Sequence, residues 1–304
     1  MAWKSSRREK ILIYGGAKSG KSSNYIGLID FAQKTKTDSH FFIIDNDNAS
    51  EAIGLYPDGS YGFLLGDVDK REKDGSYTRY SNGIEVWVPR SFDDYGKITD
   101  QILERAKPDD WVIFDMISNV WSTMPDWWIK NVYGDNPWDY YAKIRKALAD
   151  EEEGANDSRF GGLSGGAWEY VGKSYRALER NLTTYGPCHI MLLATEKEIQ
   201  PRFDKSGEKA AQFAAVSGFQ PGSEKDLIHR VHTIMRQTKT VGRDGKKVTE
   251  RNLTMFGDRD REHKWEELAG RSLTIPVTLV EHGTAPRFAF DYLMKIGGWK
   301  PAGG

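Results

Sequence analysis

The sequence predicts an α/β fold: a mostly parallel central sheet flanked by helices, with antiparallel strands added at one edge. Three observations carry that prediction. Short apolar runs of strand character alternate with segments able to form helices, the pattern of parallel β-α-β units. Residues 15–22 read Gly15-Gly16-Ala17-Lys18-Ser19-Gly20-Lys21-Ser22, a phosphate-binding G-x-x-x-x-G-K-[ST] loop set between a strand and a helix. Late in the chain, strand-like runs at 231–238 and 247–256 flank Gly242-Arg243-Asp244-Gly245, whose Asp-Gly is a hairpin signal.

Taken in order, the first strand is Ile11-Leu12-Ile13-Tyr14, and a helix follows the loop from Ser22 to about Gln33. The second strand, His40 to Ile44, ends in Asp45-Asn46-Asp47. Residues 59–83 are polar and glycine-bearing and read as a surface excursion, with a hairpin closed near Asn82-Gly83. The third strand is Ile84 to Val88, and Ser91 is placed to cap a helix running to about Ala106. The fourth strand, Trp111 to Phe114, ends in Asp115. Residues 121–150 are rich in aromatics and helical in parts, and the acidic, glycine-rich stretch Asp150 to Gly166 reads as a loop. A helix from about Ala167 to Leu182 leads into the fifth strand, His189 to Ala194, which ends in Thr195-Glu196. A polar stretch at 200–225 precedes the late hairpin, and there is no internal repeat. Residues 1–270 are therefore read as one core with insertions at about 59–83 and 121–166, and 271–304 as a C-terminal segment without an assigned role.

Bulk properties exclude several classes. The 304 residues carry a formal net charge of −1, so no global basic field advertises nucleic acid, although a local basic groove remains allowed. One cysteine, Cys188, rules out an internal disulfide framework and fits a reducing compartment, and its apolar neighbours make it a core residue. No apolar run approaches the roughly 18–20 residues of a membrane span. The basic segment Met1–Lys10 runs straight into the first strand and does not read as a secretory signal. The expectation is a soluble, cytoplasmic protein with no membrane partner. Ten tryptophans are many for this length, and several gather between Trp111 and Trp138 with Tyr133, Tyr140 and Tyr141. A core or subunit contact is favoured over a base-stacking platform, because Asp126, Asp135 and Asp139 interrupt the cluster where stacking platforms carry cations.

The loop sets the expected chemistry. Backbone N–H groups over Gly15, Gly16, Ala17, Lys18, Ser19, Gly20, Lys21, Ser22 and Ser23 would cradle the phosphates of a nucleotide such as ATP. Lys21 would reach the β/γ-phosphates, and the Ser22 hydroxyl would ligate Mg²⁺. Asp115, at the end of an apolar strand, is the candidate carboxylate for the same ion. Ligands of open α/β sheets sit beyond the carboxyl ends of the strands, and Asp45/Asp47, Asp115 and Thr195/Glu196 all fall there. Met116 rather than a glutamate follows Asp115, so a water-activating base must come from elsewhere. Asp47 is the candidate; the other reading makes Asp45 and Asp47 a turn-capping pair. Glu196 either senses the γ-phosphate and orients water or is a solvated strand-end charge.

This order of features resembles the RecA-type recombinase core, and especially the RecA-like ATPases of phage genomes. Phe42-Ile43-Ile44-Asp45-Asn46-Asp47 is similar to the family strand ending in Asp-x-Glu, with Asp47 in the place of the water-activating Glu. Residues 84–104, with Pro89, resemble the next strand, proline and helix. Asp115-Met116-Ile117-Ser118 resembles the magnesium Asp and its following Ser segment, with Met116 where the family has Ser. Thr195-Glu196 stands where the family has Asn-Gln, the switch between nucleotide and DNA loop.

The resemblance covers about 10–256. It implies a Mg²⁺-dependent ATPase, single-stranded DNA as partner in recombination, repair or replication, a homo-oligomer, and host cytoplasm if the gene is a phage's. Its two DNA loops would fall at 150–166 and 200–225; the second mixes Arg202, Lys205 and Lys209 with Phe203, Phe213 and Phe219. Arg259, Arg261 and Lys264 are either a cation set for a neighbouring subunit's site or a solvated charge run. Two other readings stay open: a small-molecule or nucleotide kinase, and a nucleotide-switched assembly module with little turnover.

Overall fold

The computed structural model describes residues 8–34, 37–149, 165–199, 218–223, 226–241, 248–258 and 272–275. The ordered elements are β1 (Lys10–Gly15), α1 (Ser23–Lys34), β2 (Phe41–Asp45), α2 (Ala49–Ala52), β3 (Val68–Arg71), β4 (Tyr77–Tyr80), β5 (Ile84–Trp87), α3 (Phe92–Leu103), β6 (Trp111–Asp115) and α4 (Ile117–Trp128). Then come α5 (Pro137–Ala149), α6 (Gly165–Arg180), β7 (His189–Glu198), β8 (Phe219–Pro221), β9 (Thr233–Val241), β10 (Val248–Asp258) and β11 (Ser272–Ile275). The sheet runs β11-β10-β9-β1-β7-β6-β2-β5-β4-β3, with β8 paired to β7. Its centre, β9-β1-β7-β6-β2-β5, is parallel throughout.

Why these strands are apolar at nearly every position follows from their place. A central parallel strand is covered on both faces, so it reads as a continuous apolar run rather than an alternation. In β1, Ile11 and Ile13 pack into the layer under α1, while Leu12 and Tyr14 pack into the layer formed by α3, α4 and α6. β2, β6 and β7 split the same way, residue by residue. Antiparallel strands appear at the edge where the sequence puts them: β9 and β10 pair antiparallel, their 242–247 turn lying outside the described residues. The opposite edge carries them too. The 59–83 excursion forms β3 and β4, which pair antiparallel with each other and, through the turn at 81–83, with β5.

Local signals decide the helix ends. Ser91 is extended, and its hydroxyl accepts from the Asp94 N–H at 3.3 Å, starting α3 as expected. The aromatic cluster divides. Trp111 is fully buried and stacks on His189 with ring centroids 4.7 Å apart, and Trp121 meets Tyr175 edge-on between α4 and α6. Trp138 on α5, by contrast, is 85% exposed. Cys188 is buried, and burial pushes its thiol up to about 12, which leaves it inert. Among the described residues, no helix is long and apolar enough to cross a membrane.

His189 ties β7 to the chain start by accepting the Glu9 N–H at Nδ1 (2.8 Å). Burial, with the charges of Arg8 and Lys10, pushes its pKa down to about 3. The unfolded chain therefore takes up a proton below about pH 6.5 that the native state refuses, so stability falls on acidification from there towards pH 3. Between pH 7 and 5 this group alone removes about 2 kcal/mol. Urea unfolding at the two pH values should show that loss reduced by a similar amount in His189→Asn.

Candidate nucleotide-binding site

The parallel register brings the chemistry to one edge. Gly15 at the end of β1 pairs with Thr195 of β7 on one side and Gln237 of β9 on the other. Asp115 of β6 pairs with Asp45 of β2 and with Leu193 of β7. One strand, β7, separates the loop strand from the Asp115 strand, so Thr195 and Glu196 emerge between the two.

The loop is shaped by backbone constraints. A Cβ at Gly15 would lie 2.1 Å from the Gln237 carbonyl oxygen, so β9 can approach only a glycine. Lys18 and Gly20 take left-handed backbone conformations (φ 57° and 96°), the turn geometry in which successive N–H groups converge on an anion. The loop then runs into α1 through Ser23 N–H to Gly20 O at 3.1 Å and Asn24 N–H to Lys21 O at 3.0 Å. Ala17 and Lys18 are exposed at the apex, while Ser19, Lys21 and Ser23 are buried.

Lys21 is folded back over its own loop, its Nζ donating to Gly15 O (3.0 Å) and Gly16 O (2.9 Å). Burial lowers its pKa, opposed by the charges of Asp115, Glu196 and Asp47, which places all three carboxylates around it. Asp115 is fully buried, and neither oxygen accepts a hydrogen bond of normal geometry. Burial raises its pKa to about 7, against the pull of the nearby Ser22 hydroxyl, while Asp45 and Asp47 push it further up and Lys21 draws it down. A buried carboxylate with the Ser22 and Tyr25 hydroxyls beside it, at a phosphate loop, offers the oxygen donors a hard divalent cation takes alongside phosphate oxygens and water. Ser22 and Asp115 thus fit Mg²⁺.

Asp45 and Asp47 divide the two readings of their strand end. Asp45 is a cap: its carboxylate accepts the Ala49 and Ser50 N–H groups, both at 2.9 Å, and starts α2. Asp47 is exposed, and its pKa is raised by burial of its inner part and by Asp45. Glu196 is ion-paired, Oε2 accepting from Arg236 Nε at 2.9 Å. The pair closes over the loop, because a Cβ on Gly16 would sit 3.0 Å from Glu196 Oε1. Arg236 in turn lies 4.4 Å from the Phe219 ring centroid. The 200–217 stretch, with Arg202, Phe203, Lys205, Lys209 and Phe213, lies outside the described residues, as do residues 150–164, Arg259, Arg261 and Lys264.

Three residues that motif reading does not mark also build the site. Gln237, fully buried, donates from Nε2 to Ser19 O (3.0 Å) and accepts from Asn24 Nδ2 (2.6 Å). Asn24 also donates to Lys21 O at 2.7 Å. Asn46 accepts the Met116 N–H (2.9 Å) and donates to Met116 O (2.7 Å), while its own N–H donates to Asp115 O (2.9 Å). It thereby clamps the backbone that carries Asp115.

No protein-family model matches the chain, and no curated protein does. Among solved structures it is similar to the crystal structure of the RadB recombinase, at 12% identity and a TM-score of 0.45, over 92% of this chain and 91% of that one. At that distance the likeness says nothing about what this chain does.

The clamp on the loop has a measurable consequence. Gln237→Leu strands the Ser19 carbonyl and the Asn24 amide inside the protein, and should destabilise the fold by about 1–3 kcal/mol. Asn24→Ala should cost less in that background than in the wild type, since the two share one hydrogen bond. Denaturant unfolding of the four proteins checks both.

Proposed function

We propose that the chain is a Mg²⁺-dependent, RecA-like ATPase that acts on single-stranded DNA in recombination, repair or replication. The observation that carries the nucleotide half is the fully buried Asp115 carboxylate beside Ser22, on the strand next but one to a loop that already has its anion-binding shape. The DNA half rests on the sequence resemblance alone.

In this reading the N–H groups of Gly16 to Ser22 bind the phosphates, and Lys21 leaves its carbonyl partners to meet the terminal ones. Ser22 and Asp115 would hold Mg²⁺, which would supply neutralisation of phosphate charge when bound. Asn46 keeps Asp115 in place through the Met116 backbone. Asp47, exposed and within reach of the Lys21 charge, takes the role of orienting or deprotonating water. Its raised pKa makes it a better proton acceptor than an ordinary aspartate. Glu196 is engaged by Arg236, so it serves better as a reporter of the terminal phosphate against Gly16 than as a base. The site faces the strand ends from which the 200–217 stretch departs, which is where a DNA-responsive loop would be coupled.

A second reading, the nucleotide-switched assembly module, is favoured by one observation. Val132 and Tyr133 after α4, Trp138 on α5 and Tyr170 on α6 are each exposed although apolar or aromatic.

ATP turnover with Mg²⁺, with and without single-stranded DNA, separates the two. DNA-stimulated hydrolysis that falls at least about 100-fold in Lys21→Ala is the expected result. Turnover that ignores DNA removes the DNA half. Tight ATP binding without turnover, accompanied by nucleotide-dependent oligomers, selects the assembly module.

A further inference from the structure

α1 brings a tyrosine to the carboxyl ends of β2 and β6. Tyr25, in the first turn of the helix, is fully buried and belongs to the apolar layer that holds Ile43 of β2 and Ile113 of β6. Strand residues two apart share a face. Asp45 and Asp115 each stand two residues beyond those isoleucines, and the register pairs them directly. Both carboxylates therefore leave the sheet on the face that α1 covers.

The Tyr25 ring would pack in this layer without its oxygen, and a hydroxyl buried there is costly unless a polar group meets it. The hydroxyl lies beside the Asp115 carboxylate and the Ser50 hydroxyl. Tyr25 Oη, Ser50 Oγ and both Asp115 oxygens are all shut off from solvent. Ser50 is fixed at this spot by the start of α2, where its N–H donates to Asp45 Oδ2 at 2.9 Å. An ionised carboxylate only accepts hydrogen bonds, and a phenol has one proton to give. One direction is therefore open to the three groups: Ser50 donates to Tyr25, and Tyr25 donates to Asp115. Asn46 holds the main chain of Asp115, whereas Tyr25 meets its side chain.

We propose that Tyr25, backed by Ser50, is a positioning residue for the metal: its hydroxyl donates to Asp115 when Mg²⁺ is bound and sets the orientation in which the carboxylate serves the ion. The inference rests on the assignment of Asp115 to Mg²⁺ in the proposed function. Mg²⁺ takes carboxylates, phosphates and water, so the part of the phenol is to hold Asp115 rather than to join it at the ion. Hydrogen bonds to a ligating carboxylate fix its direction, and losing one weakens the metal more than the fold. Tyr25→Phe deletes one oxygen and keeps the ring in its layer.

The test is fluorescence titration of the full chain with a non-hydrolysable mant-ATP analogue, in EDTA and across a Mg²⁺ series, for wild type, Tyr25→Phe, Ser50→Ala, the double variant and Asp115→Asn. The expected result is that Tyr25→Phe needs about tenfold more Mg²⁺ to reach half of the metal-dependent tightening, while its affinity in EDTA changes less than about twofold. Ser50→Ala should move the Mg²⁺ midpoint the same way by about threefold, and should add nothing in the Tyr25→Phe background. An unmoved midpoint in Tyr25→Phe, or equal loss with and without Mg²⁺, overturns the inference while leaving the site standing. Wild type that ignores Mg²⁺, or Asp115→Asn with the Mg²⁺ dependence of wild type, overturns the metal assignment and the inference with it. If Tyr25→Phe lacks a cooperative melting transition, Ser50→Ala decides, and an unmoved midpoint there overturns the inference.

Discussion

A carboxylate held fully inside a protein is among the costlier arrangements a fold can carry, commonly several kcal/mol. Asp115 is such a group, and the rest of the structure is arranged around it. It is there because β6 is a central strand, covered on both faces, whose apolar residues must be buried for the sheet to form. Asn46 grips the backbone on either side of the Asp115–Met116 bond, which fixes the main chain from which the carboxylate projects. Asp45 adds to the strain on ionisation from the neighbouring strand, while Ser22 and Lys21 offset it from the loop. A site with negative charge compressed behind a positive loop is one in which a divalent cation and a phosphate chain both gain.

The loop side is fixed from further away. Gly15 lets β9 approach, and that approach lets Gln237 tie down Ser19 and, through Asn24, the first turn of α1. The Glu196–Arg236 pair then spans β1 at the level of Gly16, where a glycine leaves the space a side chain would fill. Two strands that are far apart in sequence thus meet over the phosphate loop. Arg236 extends the connection to Phe219, at the end of the 200–217 stretch.

How much of this was legible in the sequence depends on the range of the signal. The loop, Lys21 and Ser22 are local, since eight consecutive residues and their flanks specify them. Asp115 and Asp45 were found as strand ends, because apolar runs in parallel sheets stop where solvent begins; Glu196 was read as one too, but β7 runs on to Glu198, where it pairs with β8. The capping role of Asp45 was one of two readings, and the α2 amides that select it could not be inferred from Asp45-Asn46-Asp47 alone. Gln237, Asn24 and Asn46 were invisible: their roles come from register between distant strands, and a glutamine in a strand carries no mark of what it will face. At the other edge the hairpin closed near Asn82-Gly83 was legible from its turn and forms between β4 and β5, whereas β3, exposed along its whole length, has no apolar pattern to announce it.

The central claim is that the buried Asp115 carboxylate is there to be completed by a metal–nucleotide complex. Calorimetric titration of wild type and Asp115→Asn with a non-hydrolysable ATP analogue, in Mg²⁺ and in EDTA, tests it most directly. The account predicts that Mg²⁺ tightens binding to wild type and makes little difference to Asp115→Asn, while the variant without ligand melts higher than wild type because a buried charge is gone. Equal Mg²⁺ dependence in the two proteins, with the variant melting lower, would contradict it.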